Sequence, residues 1–195
     1  PDTRDPEHVS TTVKAFMAAD LPHELIELLE RVVLQNSDFS ENKNLQNLLI
    51  LTAIKADKDR VMEYVNRLDN FDGPEIAKIA VSDQYQLYEE GFVIYNKFAK
   101  KSEDGTELHV AAVGVLVDMI QDVDRALDYA ERVNKPAVWS RLAKAQLEGG
   151  NKAAVESAIA SYIKANDATR YRAVIDAADR EGAYEKLASY LEMAR

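Results

Sequence analysis

The chain has 195 residues, with 34 acidic and 24 basic side chains, a formal charge of −10 and no cysteine. This length suffices for one domain or a short array of repeats with a buried core. The lack of cysteine excludes a disulfide framework and cysteine-ligated zinc, and it fits a reducing compartment such as the cytosol. The excess of acidic charge argues against a nucleic-acid partner, because phosphate binding needs clustered lysine and arginine.

The hydropathy pattern argues against direct membrane insertion. The longest apolar run covers residues 110–117, whereas a helix that crosses a bilayer needs about 20 apolar residues. No basic segment followed by an apolar one opens the chain, so a signal peptide is not expected. These features predict a soluble, globular protein.

Prolines mark the predicted helix starts. Proline is tolerated in the first turn of a helix because its missing N–H would have no partner there. The prolines at such positions are Pro6, Pro22, Pro74 and Pro136. Polar residues just upstream are candidate N-caps. These candidates are Asp5, Asp72 and Asn134.

Apolar residues recur three and four positions apart along the chain, a spacing typical of amphipathic helices. In chain order, clear stripes are Val9/Val13/Phe16/Met17, Leu25/Leu28/Leu29/Val32, Val61/Tyr64/Val65/Leu68, Val155/Ile159/Tyr162/Ile163, Tyr171/Val174/Ile175/Ala178 and Tyr184/Leu187/Ala188/Leu191. No sustained alternation with a period of two predicts a strand. The sequence therefore predicts about twelve helices and an all-α fold. Residues 36–43 and 99–106 are polar and predict two loops.

Weak internal matches indicate a repeat of about 32 residues, the length of a helix pair. Trp139 matches Tyr171, and Leu142 matches Val174. An isolated helix pair cannot cover its own apolar face, so successive pairs stack on each other. We therefore expect a right-handed α-solenoid of about six stacked antiparallel hairpins, elongated rather than compact.

Residues that could perform chemistry do not form a convincing site. His23 begins half of a zinc-protease motif, but Glu27 stands where the second histidine is needed. The carboxylates Glu24, Glu27 and Glu30 share one helix face, for which a solvated face is the preferred interpretation over an acid–base site. The glycines before Asn151 lack phosphate-loop spacing and predict a turn. We expect no enzymatic activity, no cofactor and no metal.

Two aromatic residues allow more than one interpretation. Trp139, the single tryptophan, is either a core residue between hairpins or an anchor that faces a partner. Tyr171 lies between Arg170 and Arg172, a pattern seen in nucleic-acid-binding proteins, but we assign it to an apolar stripe.

Long stretches of the chain resemble the helical leg of the clathrin heavy-chain family. They include RDPEHVS at residues 4–10, ELIELLE at 24–30, NLQNLLILTAIKAD at 44–57, PAVWSRLAKAQL at 136–147 and SYIKA at 161–165. Such runs are far more specific than a short motif. The sequence departs from the family mainly at residues 99–106, which form a longer connection than the family's usual turn, and in the helix that follows.

The resemblance implies a structural coat protein without catalytic activity. Family members join as three-legged trimers whose legs pack into a polyhedral lattice on the cytosolic face of coated pits and vesicles. This segment would belong to the distal leg running into the knee, without the terminal propeller and the trimerisation region. The partners that the resemblance implies are other heavy-chain legs and, near the knee, the light chain. If a light chain reaches this segment, the candidate contacts are Trp139, Asn134 and Pro136.

Two further points stay open at the level of sequence. The repeat period also allows an adaptor similar to tetratricopeptide proteins that binds peptide segments, although the full pattern of that family is not met. We place a boundary between repeat modules near residues 149–151, which divides the chain into 1–150 and 151–195.

Overall fold

The computed structural model describes residues 4–35 and 38–195. Within these ranges the regular elements are twelve α-helices and three short π- or 3-10-helical turns, with no strand. The all-α prediction is therefore confirmed. No helix of the described ranges has both the length and the apolar character required to cross a membrane.

The chain divides into two compact units, Pro1–Ile94 and Tyr95–Arg195, and the division falls inside one helix. The first unit contains α1 (Pro6–Ala18), α2 (Pro22–Leu29), α3 (Lys43–Ala56), α4 (Val61–Arg67), α5 (Gly73–Ala80) and the start of α6 (Tyr88–Lys101). A π-helical turn, Glu30–Leu34, extends α2, and a 3-10 turn, Lys58–Arg60, precedes α4.

The second unit contains the end of α6 and the remaining helices. These are α7 (Thr106–Gly114), α8 (Val123–Val133), α9 (Pro136–Leu147), α10 (Lys152–Ala165), α11 (Tyr171–Glu181) and α12 (Tyr184–Met193). A π-helical turn, Val115–Ile120, follows α7 and ends at Gln121, which has a left-handed backbone.

In both units a helix packs against its neighbour and also against the next helix but one. In the first unit, α3 contacts α2, α4 and α5; in the second, α10 contacts α9, α11 and α12, and α9 also contacts α7. This pattern is typical of stacked helix pairs that share a core with adjacent pairs. Each unit therefore consists of helix pairs stacked in the manner of an α-solenoid.

The apolar stripes form the cores. Leu29, Leu49, Ile54 and Val65 are fully buried in the first unit. In the second unit one continuous cluster joins α9 to α12; its members include Ala143, Val155, Ile159, Tyr162, Val174 and Tyr190. Burial of apolar surface contributes about 25 cal/mol per Å2, so these shared faces hold successive helices together.

The four prolines predicted to start helices each lie in the first turn of a helix. Of the three predicted N-caps, Asp5 accepts a hydrogen bond from the backbone N–H of Glu7 at 3.0 Å. Asp72 occupies an N-cap position, but its carboxylate contacts Lys43 and Asn47 instead. The N-cap prediction for Asn134 is wrong, because Asn134 ends α8 in a left-handed conformation that asparagine tolerates well.

The loop predicted at residues 99–106 is shorter than expected. Helix α6 continues to Lys101 and α7 begins at Thr106, because Ala99 is buried and extends the apolar stripe of α6. At Gly105 the backbone is left-handed, and a Cβ atom there would collide with the carbonyl oxygen of Ala99. Of the other predicted loop, Asn36 and Ser37 lie outside the described residues, residues 38–41 form a turn, and Lys43 already belongs to α3.

Candidate partner-binding site

The turn between α8 and α9 contains the residues predicted to contact a partner. Asn134 closes α8 with φ 49° and ψ 47°, Lys135 is the N-cap of α9, and Pro136 begins that helix. Asn134 and Pro136 are exposed. The fixed φ of proline and the left-handed asparagine give this turn a defined shape on the surface.

Trp139 lies beneath the turn and belongs to the core. Only 2% of its surface is exposed, and its Nε1 donates a hydrogen bond to Oδ1 of Asn134 at 3.0 Å. The core interpretation of Trp139 is therefore the one the structure supports, and the indole ring does not face outward as an anchor. The structure brings Trp139 and Asn134 together, and this bond orients the side chain of Asn134.

A lysine of α10 covers the tryptophan ring. Nζ of Lys164 lies 4.2 Å from the ring centroid of Trp139, and it lies 3.7 Å from a carboxylate oxygen of Glu131 in α8. A cation above an indole face is stabilised by the quadrupole of the ring. These contacts join α8, α9 and α10 around the turn.

The short connection between α6 and α7 also contacts the turn. Asp104 lies 3.2 Å from Nζ of Lys135 and accepts a hydrogen bond from the hydroxyl of Thr106. The hydrogen bond from Thr106 and the charge of Lys135 together lower the pKa of Asp104 below its usual value. Sequence reasoning missed this contact, because Asp104 and Lys135 are 31 positions apart in the chain.

A polar cavity of about 290 Å3 lies beside the turn and was not predicted. Its lining residues are Asn96, Lys100, His109, Tyr129, Arg132 and Val133. His109 is buried, with 8% of its surface exposed, and its Nδ1 lies 2.6 Å from the hydroxyl oxygen of Tyr129. The same hydroxyl lies 3.4 Å from Oδ1 of Asn96. Sequence alone could not bring residues from three helices together.

Burial is the main cause of the pKa shifts of His109 and Tyr129. The pKa of His109 is lowered from its ordinary value of 6.5, first by burial and then by the charges of Lys135 and Lys100. Burial also raises the pKa of Tyr129 to about 12. Both side chains are therefore neutral at pH 7.

The side chains considered for chemistry are exposed or half-buried. His23, Glu24 and Glu27 are exposed. The solvated-face interpretation is wrong for Glu30, which accepts hydrogen bonds from Arg60 at 2.9 Å and from the hydroxyl of Tyr64. Across residues 4–35 and 38–195, no three His, Asp or Glu side chains form a group that could hold a metal ion.

Two further predictions concern the position of Tyr171 in an apolar stripe and a turn at the glycines before Asn151. Tyr171, which we assign to an apolar stripe, is 45% exposed, whereas Val174 and Ala178 of the same stripe are buried. It lies at the first turn of α11 and is not a member of the core cluster. The glycines after α9 form the predicted turn, since Gly150 has φ +69° and Asn151 caps α10.

Helix pairs that stack and share cores within each unit define a helical-repeat protein. A family described as "Region in Clathrin and VPS" matches residues 1–154. The chain belongs to this family. It is also 54% identical to a clathrin heavy chain of Drosophila melanogaster, 55% identical to human clathrin heavy chain 2 and 56% identical to a probable clathrin heavy chain of Schizosaccharomyces pombe. Each match covers 100% of this chain and 11% of the relative.

Proposed function

We propose that this chain is a structural segment of a coat-protein heavy chain, part of a leg that packs with other legs into a polyhedral lattice on coated pits and vesicles. The observation that carries the proposal is the identity of 54 to 56% with clathrin heavy chains over the whole chain. The segment would act in endocytosis and intracellular transport, on the cytosolic face of the membrane, and without catalysis.

The stacked helices support this role physically. Each helix pair contacts mainly the pairs beside it, so that small changes in the angle between pairs add up to a change of curvature along a leg. Legs of variable curvature can build lattices of several sizes. Contacts between legs that are weak individually become strong when they are repeated through a lattice.

The turn between α8 and α9 is our candidate for contact with a partner, another heavy-chain leg or a light chain near the knee. Asn134 and Pro136 are exposed in a defined geometry. Trp139 acts as a positioning residue beneath them, since its indole is buried. The similarity over the whole chain favours this role over a peptide-binding adaptor similar to tetratricopeptide proteins.

We also propose that one repeat module ends near residues 149–151 and that the next begins there. The turn formed by Gly149 and Gly150 supports this boundary, because it separates α9 from α10. This boundary is not the one between the two compact units. A repeat module is defined by the recurrence of helix pairs in the sequence, whereas a compact unit is defined by its internal contacts.

The proposal is tested with the full-length heavy chain that contains this segment. One form carries the native segment, and a control form carries an unrelated helical repeat of the same length in its place. We expect closed cages from the native form and few or none from the control, counted by electron microscopy after sedimentation. Equal yields of cages of equal size from both forms would show that the segment is a spacer without a role in assembly.

A further inference from the structure

The polar cavity beside the turn combines basic side chains that have no acidic partner. Lys100 comes from α6, His109 from α7 and Arg132 from α8. Several basic side chains of the described ranges pair with carboxylates, among them Lys43, Arg60 and Lys135. Within those same ranges neither Lys100 nor Arg132 makes such a pair.

The cavity lining contains no carboxylate. Arg132 uses its Nε to donate to the backbone oxygen of Asp128 at 3.3 Å, and its guanidinium lies 5.9 Å from the ring centroid of Tyr129. In the described part of the chain, the two terminal nitrogens of Arg132 make no ion pair with a carboxylate, so they can act as a donor fork. Such a fork matches the geometry of a phosphate group.

The polar residues of the floor are already oriented. The hydroxyl of Tyr129 lies between His109 Nδ1 and Asn96 Oδ1, at 2.6 and 3.4 Å. The charges that act on His109 come from Lys100 and Lys135, both positive. A positive, partly enclosed site is unexpected in a chain with a formal charge of −10, so the local charge does not follow from the composition.

We propose that this cavity binds a small phosphorylated molecule, whose phosphate oxygens accept hydrogen bonds from Lys100 and Arg132. A volume of about 290 Å3 matches the lower end of small-molecule sites, enough for a phosphorylated sugar or inositol. The phosphate can come from a soluble molecule or from the headgroup of a lipid, because both present the same chemistry. Binding of a phosphorylated molecule would be a function in addition to the proposed packing of legs, and it would not require a lattice.

Isothermal titration calorimetry of the intact protein at low ionic strength, with inositol trisphosphate as the probe, tests this site. The variant K100Q/R132Q removes both unpaired cations, which lie at the surface, and the control K152Q/K186Q removes two exposed lysines elsewhere in the second unit. We expect saturable binding by the native protein, at least tenfold weaker binding by K100Q/R132Q, and a change of less than twofold for the control. Thermal melting followed by circular dichroism verifies that both variants fold.

The proposal is overturned if the native protein shows no saturable binding, or if both double variants weaken binding equally, which would indicate attraction to general positive charge. A second arm uses vesicles with and without a phosphoinositide lipid. Sedimentation with the phosphoinositide vesicles, lost in K100Q/R132Q, supports a lipid-borne phosphate in the cavity. Binding of inositol trisphosphate without sedimentation supports a soluble ligand, and sedimentation that survives K100Q/R132Q contradicts the site.

Discussion

Nε1 of Trp139 donates a hydrogen bond to Oδ1 of Asn134, the residue that ends α8 in a left-handed conformation. The bond is 3.0 Å long and joins the buried side of α9 to the exposed turn before it. It explains how a tryptophan inside the core controls the shape of a surface turn. A buried donor that loses its partner costs free energy, so this bond has a measurable contribution to stability.

We expect Asn134→Gly to lower the free energy of unfolding by about 1 kcal/mol, because glycine keeps the left-handed backbone but leaves the indole N–H without its acceptor. Trp139→Phe, which removes the donor and retains an aromatic ring, should cost at least as much because it also leaves a void. Urea unfolding followed by circular dichroism measures both. If Asn134→Gly unfolded at the same urea concentration as the native chain, the bond would contribute nothing.

Glu30 should be more important for stability than its neighbour on the same helix. Glu30→Gln weakens the bonds to Arg60 and Tyr64, and we expect a loss of about 1 kcal/mol, reduced by partial exposure of the pair. The exposed Glu27 is the matched control, and Glu27→Gln should change stability by less than about 0.5 kcal/mol. Equal losses in the two variants, measured by urea unfolding, would indicate a general effect of charge.

The collision at Gly105 predicts a difference between two glycines with similar backbones. Gly105 has φ +63° and Gly182 has φ +71°, but an added Cβ meets the Ala99 carbonyl only at Gly105. Gly182→Ala should cost about 1 kcal/mol from the left-handed backbone alone, and Gly105→Ala clearly more. Thermal melting of the two variants measures the difference. Identical melting temperatures would show that the connection between α6 and α7 shifts without cost.

Acid should destabilise the second unit through His109. Its pKa is lowered in the folded chain, so the unfolded chain binds more protons once the pH falls below about 6.5, and stability falls with it. The charged and titratable groups that face His109 are Lys100 from α6, Tyr129 and Arg132 from α8, and Lys135 from the following turn. Each of the three cations opposes a further positive charge.

The measurement compares the native chain with His109→Gln by urea unfolding at pH 7 and pH 5. The native chain should lose more stability between these values than the variant, whose side chain at this position does not titrate. The quantity compared is the change in free energy of unfolding between pH 7 and pH 5 within each protein, so the effect of the substitution on stability at pH 7 cancels. The same loss in both proteins would assign the acid sensitivity to other groups.

Patterns between residues close in sequence predict the helices, but they do not reveal contacts between residues far apart in the chain. Pro136 marks the start of α9 because a proline constrains its own turn. The prediction ends α6 too early, because Ala99 is buried in the folded chain and the polar residues that follow it do not indicate this. Glu30 has partners at positions 60 and 64, and no helical spacing within α2 reveals them.

The candidate site was predictable only in part. The family resemblance suggests the turn at Asn134 and Pro136 as a contact with a partner, and this stays a prediction. The burial of Trp139 depends on the packing of α9. The cavity depends on His109 and Tyr129, which lie on different helices, and each alone is unremarkable in the sequence. The local charge of a cavity depends on which side chains the fold brings together, whereas the composition gives only the net charge of the whole chain.

Electron microscopy of coats assembled from the full-length heavy chain that contains this segment tests the central claim most directly. If the segment is part of a lattice leg, its helices will be resolved along the edges of the lattice, with the side of at least one helix pair against a leg of another molecule. Density for these helices that projects away from the edges, with no contact to a second leg, would contradict a structural role in the coat.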